Sequence, residues 1–279
     1  MPAPKYSPAP TSHPVIHKRK FWIIRGHLLR REYLFLAMLG MVIPFVGWLP
    51  LASSGVMDKI FMPGPLDVVL RIYHWFMEDD LMGDAWISIY RVTMGFLLSA
   101  VIAVPLGIMI GTYRPIQALF EPLMDFIRYM PAVAFIPLVM LWVGIDEGSK
   151  IAIIWIGTFF QMVLMVAEDI RRVPMAQIEA AQTMGANNEE MVALVIFQSA
   201  KPALLDTLRI TMGWAWTYLV VAEMVAANSG LGYAILKAQR FLQTDKIFAG
   251  IILIGLIGLV MDQLFRLIHR KSFPWLYKQ

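Results

Sequence analysis

The chain has 279 residues, of which 58% are hydrophobic and only 16% charged, and its mean hydropathy is +0.63. A soluble domain is about half apolar and about a quarter charged, so this composition excludes a single water-soluble core, and it excludes a disordered chain as well. Cysteine is absent, which excludes disulfides, thiolate metal sites and cysteine nucleophiles, and the net charge of +4 fits membrane-flanking lysines and arginines better than nucleic-acid binding.

Crossing a bilayer takes about 20 apolar residues in a helix. From the N-terminus, residues 1–30 are Pro-rich and polar and read as a disordered cytoplasmic tail. The rest, 31–279, reads as one all-α transmembrane domain. No charge interrupts the 25 residues between Glu32 and Asp58, nor the 22 between Arg91 and Arg114. Charge-free runs of 17 residues follow Arg128 and Lys150, and one of 15 follows Lys246. Residues 203–227 are apolar but carry Asp206, Arg209 and Glu223. Six spans are expected, near 33–51, 86–111, 115–143, 150–168, 203–227 and 246–268. The third holds Pro115, Pro122, Pro131 and Pro137, so it is expected to be a broken or re-entrant helix. In the preceding loop, Val69, Ile72, Tyr73 and Phe76 recur at helical spacing, which suits a helix lying in the membrane interface.

With the N-terminus inside, the inner segments hold 14 Lys and Arg and the outer segments 6. The bias puts both termini in the cytoplasm. Residues 170–201 then form an inner loop with strong helix signals. Pro174 suits a first turn, and Met175 to Met184 are good helix formers. Gly185 suits a left-handed helix stop. Asn187 or Asn188 can cap a second helix, with Glu189 and Glu190 in its first turn. An ordered hairpin over 174–200, held outside the bilayer, is a surface for a partner.

Glu179-Ala180-Ala181, followed after three residues by Gly185, resembles the EAA motif of ABC importer permeases. Val195, Phe197 and Gln198 stand where that family has Ile-x-Leu-Pro, so its proline is missing here. Further segments resemble the family in order: Met62-Pro63-Gly64-Pro65, Arg91 to Phe96, Arg128-Tyr129-Met130-Pro131, Ala222-Glu223-Met224, and Ser229-Gly230-Leu231-Gly232-Tyr233. The likeness is to the branch for nitrate, bicarbonate, taurine and aliphatic sulfonates. It implies a bacterial inner-membrane permease working as a homodimer, with ABC ATP-binding subunits inside and a substrate-binding protein outside. In it Glu179, Ala180, Ala181 and Gly185 couple to the ATPase.

The chain has no phosphate-binding glycine loop of its own, so no enzymatic activity and no cofactor is expected. Charges inside a bilayer are costly and mark candidate function. Arg128, Arg91 and Glu223 are therefore candidates for the translocation pathway. Asp206 with Arg209, and Asp125 with Arg128, stand three residues apart and can neutralise each other on one helix face. The five histidines fall in no metal-ligand spacing and are expected at the surface. The cargo expected is a small anion. A neutral or cationic nitrogenous compound is the alternative, and an ATP-independent secondary transporter a more distant one.

Overall fold

A computed structural model describes residues 29–55 and 58–277. The expected tail, up to residue 28, lies outside the described residues. All regular structure among the described residues is helical.

Residues up to Pro50 form one unit and residues from Leu51 onward another. The first contains most of α1 (Arg30–Ser53), whose Phe35, Met38, Met41 and Ile43 are all exposed, as lipid-facing side chains are. The second contains α2 (Pro65–Glu78), α3 (Leu81–Thr112), α4 (Arg114–Arg128), α5 (Ile136–Val143), α6 (Glu147–Arg171), α7 (Met175–Thr183), α8 (Asn188–Glu190), α9 (Phe197–Ala226), α10 (Leu231–Arg240) and α11 (Thr244–Ser272). Among the described residues, five helices are long and apolar enough to cross a membrane. The sixth expected span is the pair α4 and α5, bent by 90° across Tyr129–Pro131 and a short 3-10 turn. Pro131 lacks the N–H that would continue α4, and it biases Met130 away from helical geometry.

The centre of the second unit is α3 packed along α6. Gly95, Ser99, Ala103, Gly107 and Gly111 recur every four residues on α3 and form its contact stripe. A Cβ on Gly95 would meet Ile154, one on Gly107 would meet Val166, and one on Gly111 would meet Ile170, each closer than 3 Å. Small residues let the backbones approach where lipid supplies no hydrophobic drive between helices. Within the stripe, Ser99 Oγ and Thr158 Oγ1 share a hydrogen bond of 2.6 Å. Helix α9 packs on both partners through Leu204, Ala215 and Leu219.

Helix α2 starts where Pro65 stands in its first turn. It buries Val68 and Trp75, while Val69, Tyr73 and Phe76 stay exposed, so the interfacial stripe read from the sequence faces outward. Arg71 binds Asp245 at 2.7 Å and ties α2 to α11. Lys246 donates to Asp79 at 2.6 Å, which holds that carboxyl below its usual range.

One histidine departs from expectation. His269 is buried, because residues 273–277 fold back over the end of α11. Phe273 meets its ring edge-on, and Tyr277 Oη lies 2.8 Å from Nδ1.

Candidate functional site: an arginine at the helix elbow and a helical hairpin

The candidate charges divide into two settings. At one end of the bundle, where α3 and α6 begin and α9 ends, Arg91 is fully buried. Its Nε and Nη2 donate to the two carboxylate oxygens of Glu147 at 2.6 and 2.7 Å. Its Nη1 donates to Glu223 Oε1 and to the Ser229 carbonyl, at 2.8 and 2.7 Å. Ser88 Oγ donates to Glu223 Oε1 at 2.8 Å and accepts from the Leu231 N–H at 2.9 Å. The Gly232 N–H donates to Glu223 Oε2 at 2.7 Å. Lys150 adds a fourth charge, 2.8 Å from Glu147. Two cations and two carboxylates thus neutralise one another, and the bidentate guanidinium supplies the geometry a buried ion pair needs.

Glycine makes this clasp possible. Gly230 has φ +109, and a Cβ there would collide with the Glu223 carboxylate. The turn that resembles the family's Ser-Gly-x-Gly segment is therefore the backbone wrapping over Glu223. Sequence reading places Arg91 and Glu223 among the pathway candidates; the structure joins them to each other, with no accessible surface on either residue.

Arg128 stands in the second setting, at the 90° elbow between α4 and α5. It lines a cavity of about 250 Å³ with Met130 and Phe135 of the elbow, Gly157, Phe160 and Gln161 of α6, and Trp214, Thr217 and Tyr218 of α9. An adjoining cavity of about 340 Å³ lies toward the far ends of α6 and α9, and Arg128 and Gln161 line both. Asp125 does pair with Arg128, at 3.1 Å, with both side chains partly exposed. The same Nη2 also donates to Tyr129 Oη at 3.1 Å. Nε and Nη1 make no hydrogen bond to protein among the described residues, and the guanidinium lies over the Tyr129 ring, 4.9 Å from its centre. Arg209, by contrast, lies between Asp206 and Asp262, at 3.2 and 3.3 Å.

The hairpin forms at the same end of the bundle as the far ends of α6 and α3. Helix α7 stops at Gly185, whose φ is +85, and the Ala186 N–H reaches back to the Ala181 carbonyl at 3.0 Å. Asn187 caps the next helix. Its side chain accepts from the Glu190 N–H at 2.9 Å, and Glu190 returns the bond at 3.0 Å, a reciprocal capping box. Glu179, Ala180 and Gly185 are exposed, while Ala181 is buried and anchors α7. Met175 and Met184 add exposed apolar surface beside Glu179. Gln198 stands where the resemblance has a proline, and the chain runs from α8 into α9 without a break, with Pro202 inside α9. A π-helical stretch, Met191–Ile196, absorbs the change of register, and Phe197 N–H bonds the Val192 carbonyl five residues back.

The four-residue stripe on α3 and the polar pattern around the cavity escape a reading for charges. Both were present as spacing: Trp214, Thr217 and Tyr218 at i, i+3, i+4, and Gly157, Phe160 and Gln161 at i, i+3, i+4.

Comparison with known proteins places these features in a family. Residues 103–273 match the model of the binding-protein-dependent transport system inner membrane component. A probable ABC transporter permease protein of Brucella melitensis is 36% identical over 240 residues, 86% of this chain and 96% of the relative. The taurine transport system permease protein of Escherichia coli is 29% identical over 266 residues, 93% of this chain and 95% of the relative. The bicarbonate transport system permease protein of Synechococcus elongatus is 26% identical over 243 residues, 80% and 86% of the two chains. Among solved structures, an inward-facing form of the MetNI methionine ABC transporter matches with a TM-score of 0.56 at 20% identity, over 67% of this chain and 95% of that one, which bears on the fold alone. With its helical bundle, its spans and its relatives of nearly full length, the chain belongs to the family of binding-protein-dependent transport system inner membrane components, and it is a permease subunit rather than an enzyme.

Proposed function

We propose that this chain forms the translocation pathway of an ATP-driven importer for a small anion. Two copies of it would work with ATP-binding subunits at the hairpin end and a substrate-binding protein at the clasp end. Both termini would then lie in the cytoplasm, in keeping with the excess of Lys and Arg on that side.

The observation that carries the anion reading is Arg128. It lines a cavity among α4, α6 and α9 with two of its nitrogens free of hydrogen bonds to protein. A guanidinium keeps its charge in any protein setting, and its fork of donors suits an oxyanion. Taurine and bicarbonate, the cargoes in two relatives' names, each offer an oxyanion. Nitrate and other sulfonates meet the same requirement.

The coupling reading is supported by the exposed Glu179, Ala180 and Gly185 on a hairpin whose turn is held by Gly185 in the left-handed region and by the Asn187 capping box. A rigid lever can transmit motion from a partner's ATP cycle to α9, with which it is continuous.

The test is uptake by proteoliposomes holding the permease, its ATP-binding subunits and its binding protein. Taurine, ethanesulfonate, nitrate, bicarbonate, urea and cytosine would be offered. ATP-dependent uptake of taurine's sulfonate zwitterion or of at least one of the three anions is expected, and uptake confined to urea or cytosine would refute the anion reading.

A further inference from the structure

The cavity beside Arg128 has a mixed lining. Arg128, Gln161, Thr217 and Tyr218 supply its polar side-chain groups. Among the described residues, the side chains of Gln161, Thr217 and Tyr218 make no hydrogen bond to protein; Gln161 and Tyr218 are partly buried and Thr217 is exposed. Polar groups inside a membrane bundle are normally satisfied by protein, or else they line a water or substrate path. Phe160 and Trp214 are among its apolar lining. Tyr218 holds its place because Gly157 has no side chain. A Cβ on that glycine would occupy the space of the Tyr218 ring.

Surface chemistry adds a constraint. Nitrate or bicarbonate is polar all round and leaves the aromatic lining of the cavity without a partner. An oxyanion head on a short carbon chain presents both kinds of surface. Its head meets the free guanidinium nitrogens and the side-chain donors, and its carbons lie against Phe160 and Trp214.

We propose that this cavity is a substrate-binding station in the permease itself, in which Arg128, Gln161, Thr217 and Tyr218 hold the oxyanion head of a carbon-bearing anion and Phe160 and Trp214 cover its chain. The proposal rests on the anion-import reading and goes further. It gives the membrane subunit its own selectivity, apart from that of the external binding protein. Burying a methylene group in such a pocket favours the longer ligand by about tenfold. The polar contacts each contribute a factor of roughly five.

The test is calorimetric titration of the permease with its ATP-binding subunits in lipid nanodiscs, without binding protein, using ethanesulfonate and nitrate as probes. Ethanesulfonate is expected to bind at least tenfold tighter than nitrate. Trp214→Ala should bring the two together by weakening ethanesulfonate alone. Gln161→Leu and Thr217→Val should weaken both probes. The wild-type preference needs no variant to fold, so equal binding of the two probes, or binding of neither, overturns the station. Variants that assemble and bind both probes as the wild type does overturn the residue assignment. Anion uptake by the full transporter without ethanesulfonate binding would refute this site and leave anion import standing, whereas absence of any anion uptake would refute both.

Discussion

Arg91 and Glu223 meet at 2.8 Å with neither side chain accessible, although 132 residues separate them in the chain. Removing the cation alone leaves a buried carboxylate without a counter-charge, which costs about 3–5 kcal/mol. Arg91→Met should therefore sharply lower the thermal stability of the purified protein. Glu223→Gln keeps a polar group for Ser88 and Gly232 and should cost less. If Arg91→Met melts like the wild type and loses only transport, the clasp is a pathway element and not a structural one.

The stripe on α3 gives a controlled comparison. Gly107 has Val166 and the Val163 carbonyl where a Cβ would go, whereas nothing lies within 4 Å of such an atom at Gly255. Gly107→Val is expected to destabilise by about 1–3 kcal/mol or more, as overpacking does. Gly255→Val should be nearly silent in the same melting experiment. Equal effects at the two positions would mean that close α3–α6 approach is not what holds the bundle.

At the hairpin, Gly185 sits at φ +85. A valine there costs about 1–2 kcal/mol of left-handed strain and should unseat the turn that aims Glu179. Glu179→Lys changes only the charge presented. Both variants should insert normally and lose ATP-driven uptake. Retention of substrate-stimulated ATP turnover in both would rule out coupling through this face.

Arg128 carries two competing roles, and substitution separates them. As a pathway cation, Arg128→Gln should abolish anion uptake while the complex still assembles. Arg128→Lys should recover uptake in part, because the charge remains and the planar fork is lost. As a mere partner of Asp125, it should instead be replaceable, with Asp125→Asn plus Arg128→Gln restoring assembly and uptake together. The pair is partly exposed, so its own contribution to stability is about 0–1 kcal/mol. Lost uptake in the double variant is the expected result.

Orientation is open to direct measurement. Reporters fused to either terminus should read cytoplasmic, and one inserted near Asp79 should read external. A terminus found outside would reverse which side the hairpin faces.

The spans were legible because a bilayer imposes a one-dimensional rule. Each run between Glu32 and Asp58, or Arg91 and Arg114, is long enough to cross and too apolar to remain in water. The hairpin was legible for a local reason, since Gly185 and Asn187 act through backbone angles and caps within a few residues. The prolines likewise announced a break after Arg128, but not its 90° bend. What the linear order left open is which charge meets which. Arg91 finds Glu147 after 56 residues and Glu223 after 132, and Arg128 keeps two nitrogens free beside Gln161, Thr217 and Tyr218. Hydropathy reports a residue's preference for its surroundings, whereas these partnerships depend on how closely helices pack and at what rotation. Glycines at 95, 107 and 111 and at 157 set those distances, so only the tertiary structure separates the arginine that locks the bundle from the one that faces a cavity.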